Sequence, residues 1–187
     1  MTTTPPTKRP ERPLRRATSL VLVNTGDGKG KTTAAMGTVL RALARGWSVC
    51  VVQFVKSGRW HSGEVRLLSG LGAEWHTMGD GFSWESDDLE RSAEMAREAW
   101  ALGKRAINSG EFNLVLLDEI TYPINWGWIE ERDVLATIGG RPPQVNLILT
   151  GRDAPEAIVG IADTVSEVRK VKHAFDDGIR AAKGLDY

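Results

Sequence analysis

A short apolar run, Leu20-Val21-Leu22-Val23, leads through Asn24-Thr25-Gly26-Asp27-Gly28-Lys29-Gly30-Lys31-Thr32-Thr33 directly into a helical pattern. This strand–loop–helix unit constrains the fold more than any other part of the chain. Glycines at alternate positions let the backbone curl until successive N–H groups converge. The following helix brings the partial positive charge of its N-terminus to the same point. Lys31 adds a mobile full charge, and the Thr32 hydroxyl suits a magnesium ion. Such convergence suits phosphate. The residues expected to contact a nucleotide triphosphate are therefore Thr25, Gly26, Asp27, Gly28, Lys29, Gly30, Lys31, Thr32 and Thr33. One departure from the usual phosphate-loop pattern stands out. Thr25 takes the place of the first glycine, while Gly26 and Gly28 lie inside the loop. This predicts a nucleotide that lies differently than in an ordinary P-loop protein.

Downstream, short apolar runs keep alternating with helical patterns. A helix is expected over 32–45, with apolar positions Ala35, Met36, Val39, Leu40 and Leu43 and a stop at Gly46. Strands are expected over 48–55, 73–78, 113–117, 145–149 and 164–168. Helices are expected over 64–71, 130–138 and 155–162. A longer helix should start at Asp87, with Glu90 three residues on, and stop near Gly110. The run at 113–117 is continuously apolar, as a parallel strand buried on both faces requires. This alternation predicts an α/β fold: a three-layer P-loop, RecA-like domain with a mostly parallel sheet of about six strands. At 187 residues the chain suits one such domain, over 18–187. Residues 1–17 hold four prolines and five basic side chains, a composition unable to bury enough apolar area to order itself. They are expected to be a flexible arm, or one that orders over a ligand or a partner subunit.

Charge narrows the function. Lys+Arg and Asp+Glu both number 24, so no basic excess points to nucleic acid or a membrane surface. No apolar stretch approaches the roughly 18 to 20 residues that span a bilayer, and the N-terminus lacks the apolar region of a signal peptide. The expected location is cytoplasmic. Cys50 is the single cysteine. It sits in Val49-Cys50-Val51-Val52 and is expected in the core. The spacing of His61, His76 and His173 forms no metal site, and structural roles are expected for all three.

A second acidic element follows another strand, in Leu114-Val115-Leu116-Leu117-Asp118-Glu119. Ligands of open parallel sheets gather at the carboxyl ends of strands. A carboxylate there holds Mg²⁺ directly or through water; otherwise the pair caps a helix or lies on the surface. Arg152 ends a further strand in Leu149-Thr150-Gly151-Arg152. It is placed either to bind a terminal phosphate or to form a surface ion pair. The guanine-reading Asn-Lys-x-Asp element of GTPases is missing, since Thr150-Gly151-Arg152-Asp153 lacks the lysine. That favours ATP.

Taken together, these segments resemble the ATP:corrinoid adenosyltransferases of cobalamin synthesis and salvage. The likeness runs from about Leu20 to Tyr187. It includes Thr25 to Ala35, where the family often has Asn in place of Asp27, and Val51-Val52-Gln53-Phe54-Val55-Lys56. It continues through Gly81-Phe82-Ser83-Trp84-Glu85, Leu117 to Tyr122, Thr150-Gly151-Arg152 and Ala162 to Glu167. It closes on Val171-Lys172-His173-Ala174-Phe175-Asp176 and Gly184-Leu185-Asp186-Tyr187. The resemblance implies transfer of the 5′-deoxyadenosyl group of ATP to Co(I) of a corrinoid, with release of triphosphate. Phe82 and Trp84 match the aromatic pair the family packs against the lower face of cobalt, and so, with Lys31 at the departing triphosphate, are assigned catalytic roles. Arg41 and Arg152 join the nucleotide contacts, and Thr32, Asp118 and Glu119 become ligands of Mg²⁺ or Mn²⁺. A homodimer and a reduced flavin protein as electron donor are implied too. Two rival readings stay open at this point: a small P-loop ATPase or kinase with Glu119 as base, and a non-catalytic corrinoid carrier.

Overall fold

The computed structural model describes residues 15–56, 63–79 and 88–186. Six strands form one sheet among these residues. They are β1 (Val21–Thr25), β2 (Val49–Gln53), β3 (Glu74–Thr77), β4 (Leu114–Asp118), β5 (Asn146–Thr150) and β6 (Thr164–Glu167). Every pairing is parallel, and the order is β3-β2-β4-β5-β1-β6. Parallel neighbours need crossovers, and helices supply them: α1 (Lys31–Ala44), α2 (Gly63–Gly70), α3 (Leu89–Ser109), α4 (Thr121–Asn125), α5 (Glu131–Gly139) and α6 (Glu156–Ile161).

The sheet is buried on both sides by two separate apolar clusters. Ala35, Met36, Val39 and Ala42 of α1 and Leu68 of α2 pack on Val49, Val51, Leu114, Leu116 and Ile148. Ala96, Ala99, Trp100 and Ile107 of α3, Val134 and Ile138 of α5 and Ile158 of α6 pack on Cys50, Val52, Val115, Leu117, Leu147 and Leu149. Alternate residues of one strand thus serve opposite faces, which explains why β2 and β4 read as unbroken apolar runs. Each such Val, Leu or Ile contributes about 1.5–3 kcal/mol on burial. The expected three-layer α/β architecture is therefore present, and Cys50 is a core thiol whose pKa burial pushes up to about 12.

Several local expectations need correction. The cap of α3 is Asp88, whose carboxylate accepts from the Arg91 N–H at 3.0 Å. Asp87 lies outside the described residues. Leu40 and Leu89 fall on the apolar stripes of their helices but are exposed. The short helix α4 was hidden in the sequence by Pro123, which sits inside its single turn. Strand β6 is exposed along its length, because it closes one edge of the sheet. No helix among the described residues is long and apolar enough to cross a membrane.

Candidate nucleotide site

Strand order places the chemistry. β5 lies between β1, which feeds the glycine loop, and β4, which ends in Asp118. The carboxyl ends of three strands therefore meet beside the N-terminus of α1. A cavity of about 520 Å³ opens there. It is lined by residues 27–33 of the loop, by Lys56, Glu119, Tyr122 and Arg152, and by a wall from the C-terminal segment that includes Lys170, His173 and Phe175.

Asp118 is completely buried and fully occupied. Its Oδ1 accepts from Thr32 Oγ1 at 2.9 Å and Thr150 Oγ1 at 2.7 Å. Its Oδ2 accepts from Gln53 Nε2 at 2.9 Å and pairs with Lys56 Nζ at 3.3 Å. A buried carboxylate survives only with such compensation. Burial alone would lower the Lys56 pKa, but Asp118 and Glu119 outweigh it and hold the ammonium above its ordinary value. With its hydrogen committed to Asp118, Thr32 Oγ1 keeps lone pairs for a cation.

Glu119 adopts φ 68°, the left-handed backbone that favours glycine. Its N–H donates to Thr150 Oγ1 at 2.8 Å, pinning the turn. Burial, then the neighbouring charge of Asp118, push its carboxyl up to about 7. Two residues with oxygen donors, Thr32 and Glu119, thus line the cavity, with Asp118 hydrogen-bonded to Thr32 Oγ1. That hard oxygen set fits Mg²⁺.

Lys31 Nζ donates to Gly26 O and Gly28 O, both at 2.8 Å. Burial and the nearby Arg152 hold its pKa below the ordinary lysine value. Arg152 follows Gly151, whose φ of 141° and approach to Thr121 allow no side chain: a Cβ there would lie 1.9 Å from Thr121 Oγ1. Thr121 Oγ1 donates to the Arg152 carbonyl at 2.6 Å, fixing the backbone that presents the guanidinium to the cavity.

The loop itself departs from expectation. The Gly28 N–H does not point into the cavity but donates to Val168 O at 2.7 Å. Val168 N in turn donates to Thr25 O at 2.8 Å. The backbone after β6 runs so close that a Cβ on Gly26 would lie 2.4 Å from Val168 O, and one on Gly28 2.7 Å from the Arg169 carbonyl carbon. These two glycines are demanded by chain-to-chain contact, which sequence reasoning had credited to phosphate alone. Asp27 accepts from the Lys170 N–H at 3.0 Å, which holds its carboxyl below the usual range. Lys29 pairs with Asp186 at 2.6 Å.

Among the residues expected from sequence, Asp27 to Thr33, Glu119 and Arg152 line the cavity, and Asp118 supports it from behind. Thr25 contributes its carbonyl to Val168 and its Oγ1 to the Ala154 N–H at 3.1 Å. Arg41 is not brought to the site. It lies exposed in the last turn of α1, ten residues after Lys31, or about 15 Å along the axis. Phe82, Trp84 and His61 lie outside the described residues. Gln53, Lys56, Thr150 and Lys170 had been given no role. Only the fold brings them to Asp118 and the loop. His76 also gains partners that spacing did not reveal: its Nε2 lies 2.8 Å from Glu74, and Cys50 completes a group whose ligand atoms fall within 4.8 Å. That group sits along β2 and β3, beneath the strand ends, and takes no part in the cavity.

A glycine loop between β1 and α1, facing an aspartate at the end of a non-adjacent parallel strand, defines a P-loop nucleotide-binding protein of the RecA-like type. Comparison with known proteins narrows this further. The profile of the ATP:corrinoid adenosyltransferase family BtuR/CobO/CobP matches residues 17–187, so the chain belongs to that family. It is 44% identical over 168 residues to a corrinoid adenosyltransferase of Escherichia coli, spanning 90% of this chain and 85% of that one. It is 43% identical to the corrinoid adenosyltransferase CobA of Salmonella typhimurium over the same shares. At 14% identity, the flagellar accessory protein FlaH of Methanocaldococcus jannaschii shares the fold alone. The TM-score is 0.50, over 81% of this chain and 71% of that one.

Proposed function

We propose that this protein transfers the 5′-deoxyadenosyl group of ATP to the Co(I) centre of a corrinoid. Co(I) attacks the 5′ carbon with its electron pair, a cobalt–carbon bond forms, the C5′–O bond breaks, and triphosphate leaves with the bonding electrons. The carrying observation is a cavity lined at once by phosphate-loop lysines, an oxygen-donor pair and a wall from the chain's own C-terminal segment, in a chain that matches the family over 17–187.

In this reading the loop grips a leaving group. Lys31 moves from the Gly26 and Gly28 carbonyls to the triphosphate, where its charge offsets the charge developing on the departing oxygen. Arg152 adds a second cation to the terminal phosphate. Thr32 and Glu119 would hold Mg²⁺, with Asp118 orienting Thr32. A bound magnesium ion would supply charge neutralisation on the phosphates. The outward Gly28 N–H removes one phosphate donor from the loop and accords with an unusual nucleotide placement.

Phe82 and Trp84 are assigned to the lower face of the corrinoid, where apolar packing displaces the axial ligand and eases reduction of Co(II). The reading also includes a reduced flavin protein as donor, a homodimer, cytoplasmic location, and an N-terminal arm over 1–17 distinct from the domain over 18–187. An ordinary ATPase reading draws support from Glu119, since a carboxyl titrating at about 7 suits a general base.

The two are separated anaerobically with purified protein, MgATP and chemically reduced cob(I)alamin. Loss of the Co(I) absorption with formation of light-sensitive adenosylcobalamin and one triphosphate per turnover is expected. ADP and orthophosphate, with the corrinoid spectrum unchanged, would refute adenosyl transfer.

A further inference from the structure

The C-terminal segment is fastened to the phosphate loop at two places of different character. The first is backbone: the Val168 N–H to Thr25 O, the Gly28 N–H to Val168 O, and the Lys170 N–H to the Asp27 carboxylate. These bonds continue the pairing of β6 with β1, in which Thr25 already faces Glu167. The second is one side-chain pair at the far end, Lys29 Nζ to Asp186 Oδ1 at 2.6 Å. Asp186 is itself tied locally, its Oδ2 accepting from the Ala182 N–H at 2.6 Å. Between the two fastenings the segment gains little from burial. Val171, Phe175, Ile179 and Leu185 are all exposed.

Both loop lysines thus rest on acceptors within the chain itself. Lys31 rests on carbonyls of its own loop. Lys29 rests on a carboxylate of a remote segment, and both members of that pair line the cavity. A carboxylate on this ammonium stands in for a phosphate oxygen, and one lysine cannot give its best geometry to both.

We propose that Asp186 acts through Lys29 as an internal competitor of phosphate: it occupies the loop lysine, and triphosphate must displace it. Filling of the loop then releases residues 171–186, while the backbone fastening at 168–170 stays closed. This inference rests on the reading of the loop as a triphosphate site.

Calorimetric titration of the full chain with inorganic tripolyphosphate tests it. A partly exposed pair of this kind changes affinity modestly, so Asp186→Asn should bind roughly two- to fivefold more tightly than wild type. A merely structural role for Asp186 predicts the opposite sign. Lys29→Met should weaken binding, and adding Asp186→Asn to it should restore nothing, because the gain acts through that lysine. Hydrogen exchange of wild-type amides over 178–186 should accelerate when tripolyphosphate binds, while Gly28 and Lys170 stay protected. Equal or weaker binding by Asp186→Asn, or slower exchange over 178–186, overturns the proposal. Absence of any tripolyphosphate binding overturns it together with the phosphate-site reading. Adenosylation of cob(I)alamin is measured separately, so a failure of the reaction is told apart from a failure of the latch.

Discussion

Glutamine at position 119 should stabilise the ligand-free protein while removing its hold on a magnesium nucleotide. Glu119 is a partly buried carboxylate next to the buried Asp118. Burial and that neighbour push its pKa from 4.5 to about 7 against the pull of Lys56, Lys31 and Arg152. A carboxyl that binds its proton more tightly when folded favours the fold below its unfolded pKa, and that advantage is lost as pH rises through the folded value. Between about pH 4.5 and 7, wild type therefore loses up to about 3 kcal/mol that the neutral amide keeps, at about 1.4 kcal/mol per unit. Solvent around a partly exposed group screens part of this, leaving about 1–3 kcal/mol at about pH 8. For a chain of this size that corresponds to a Tm about 2 to 10 °C higher. Scanning calorimetry of Glu119→Gln and wild type, without nucleotide and at fixed salt, should give curves that converge near pH 4.5 and separate as pH rises. MgATP titration of the same variant should show affinity lost. A variant no more stable than wild type at about pH 8 would refute the like-charge argument.

Other substitutions probe the rest of the site. Lys31→Ala should lower kcat/KM for ATP by about a hundredfold or more, whatever corrinoid is supplied, as loss of an electrostatic donor in a partly buried site does. Gly151→Ala should destabilise by about 2–4 kcal/mol in urea titration, because it combines a strained positive φ with a clash on Thr121. Adding Thr121→Ala should relieve only the clash. Phe82→Ala or Trp84→Ala should impair the reaction from Co(II) far more than from chemically supplied Co(I). Equal losses in the two assays would remove the assigned role of these aromatics.

Much of the fold was legible in the chain because parallel strands buried on both faces leave unbroken apolar runs. Leu114 to Leu117 and Leu147 to Leu149 read as strands, and the loop from Gly26 to Thr33 announced the helix that follows it. Asp118 was legible too, since an acid at the carboxyl end of such a run stands where the ligands of parallel sheets gather. Boundaries were less so: Pro123 concealed α4, and the cap of α3 fell one residue beyond the expected place.

The sequence by itself determined the layer architecture and carried the motifs by which the family is matched, because each rests on local pattern: period, turn glycines and short runs of adjacent residues. Tertiary structure alone decided how the site is assembled. Gln53, Lys56 and Thr150 become partners of Asp118 only because strand order sets β2, β4 and β5 side by side. Gly26 and Gly28 turn out to accommodate the backbone of Val168 and Arg169, and Lys29 finds Asp186 at the opposite end of the chain. Contacts between residues far apart in sequence leave no periodic trace in either segment; they exist only once the sheet has closed and the strand ends share one edge.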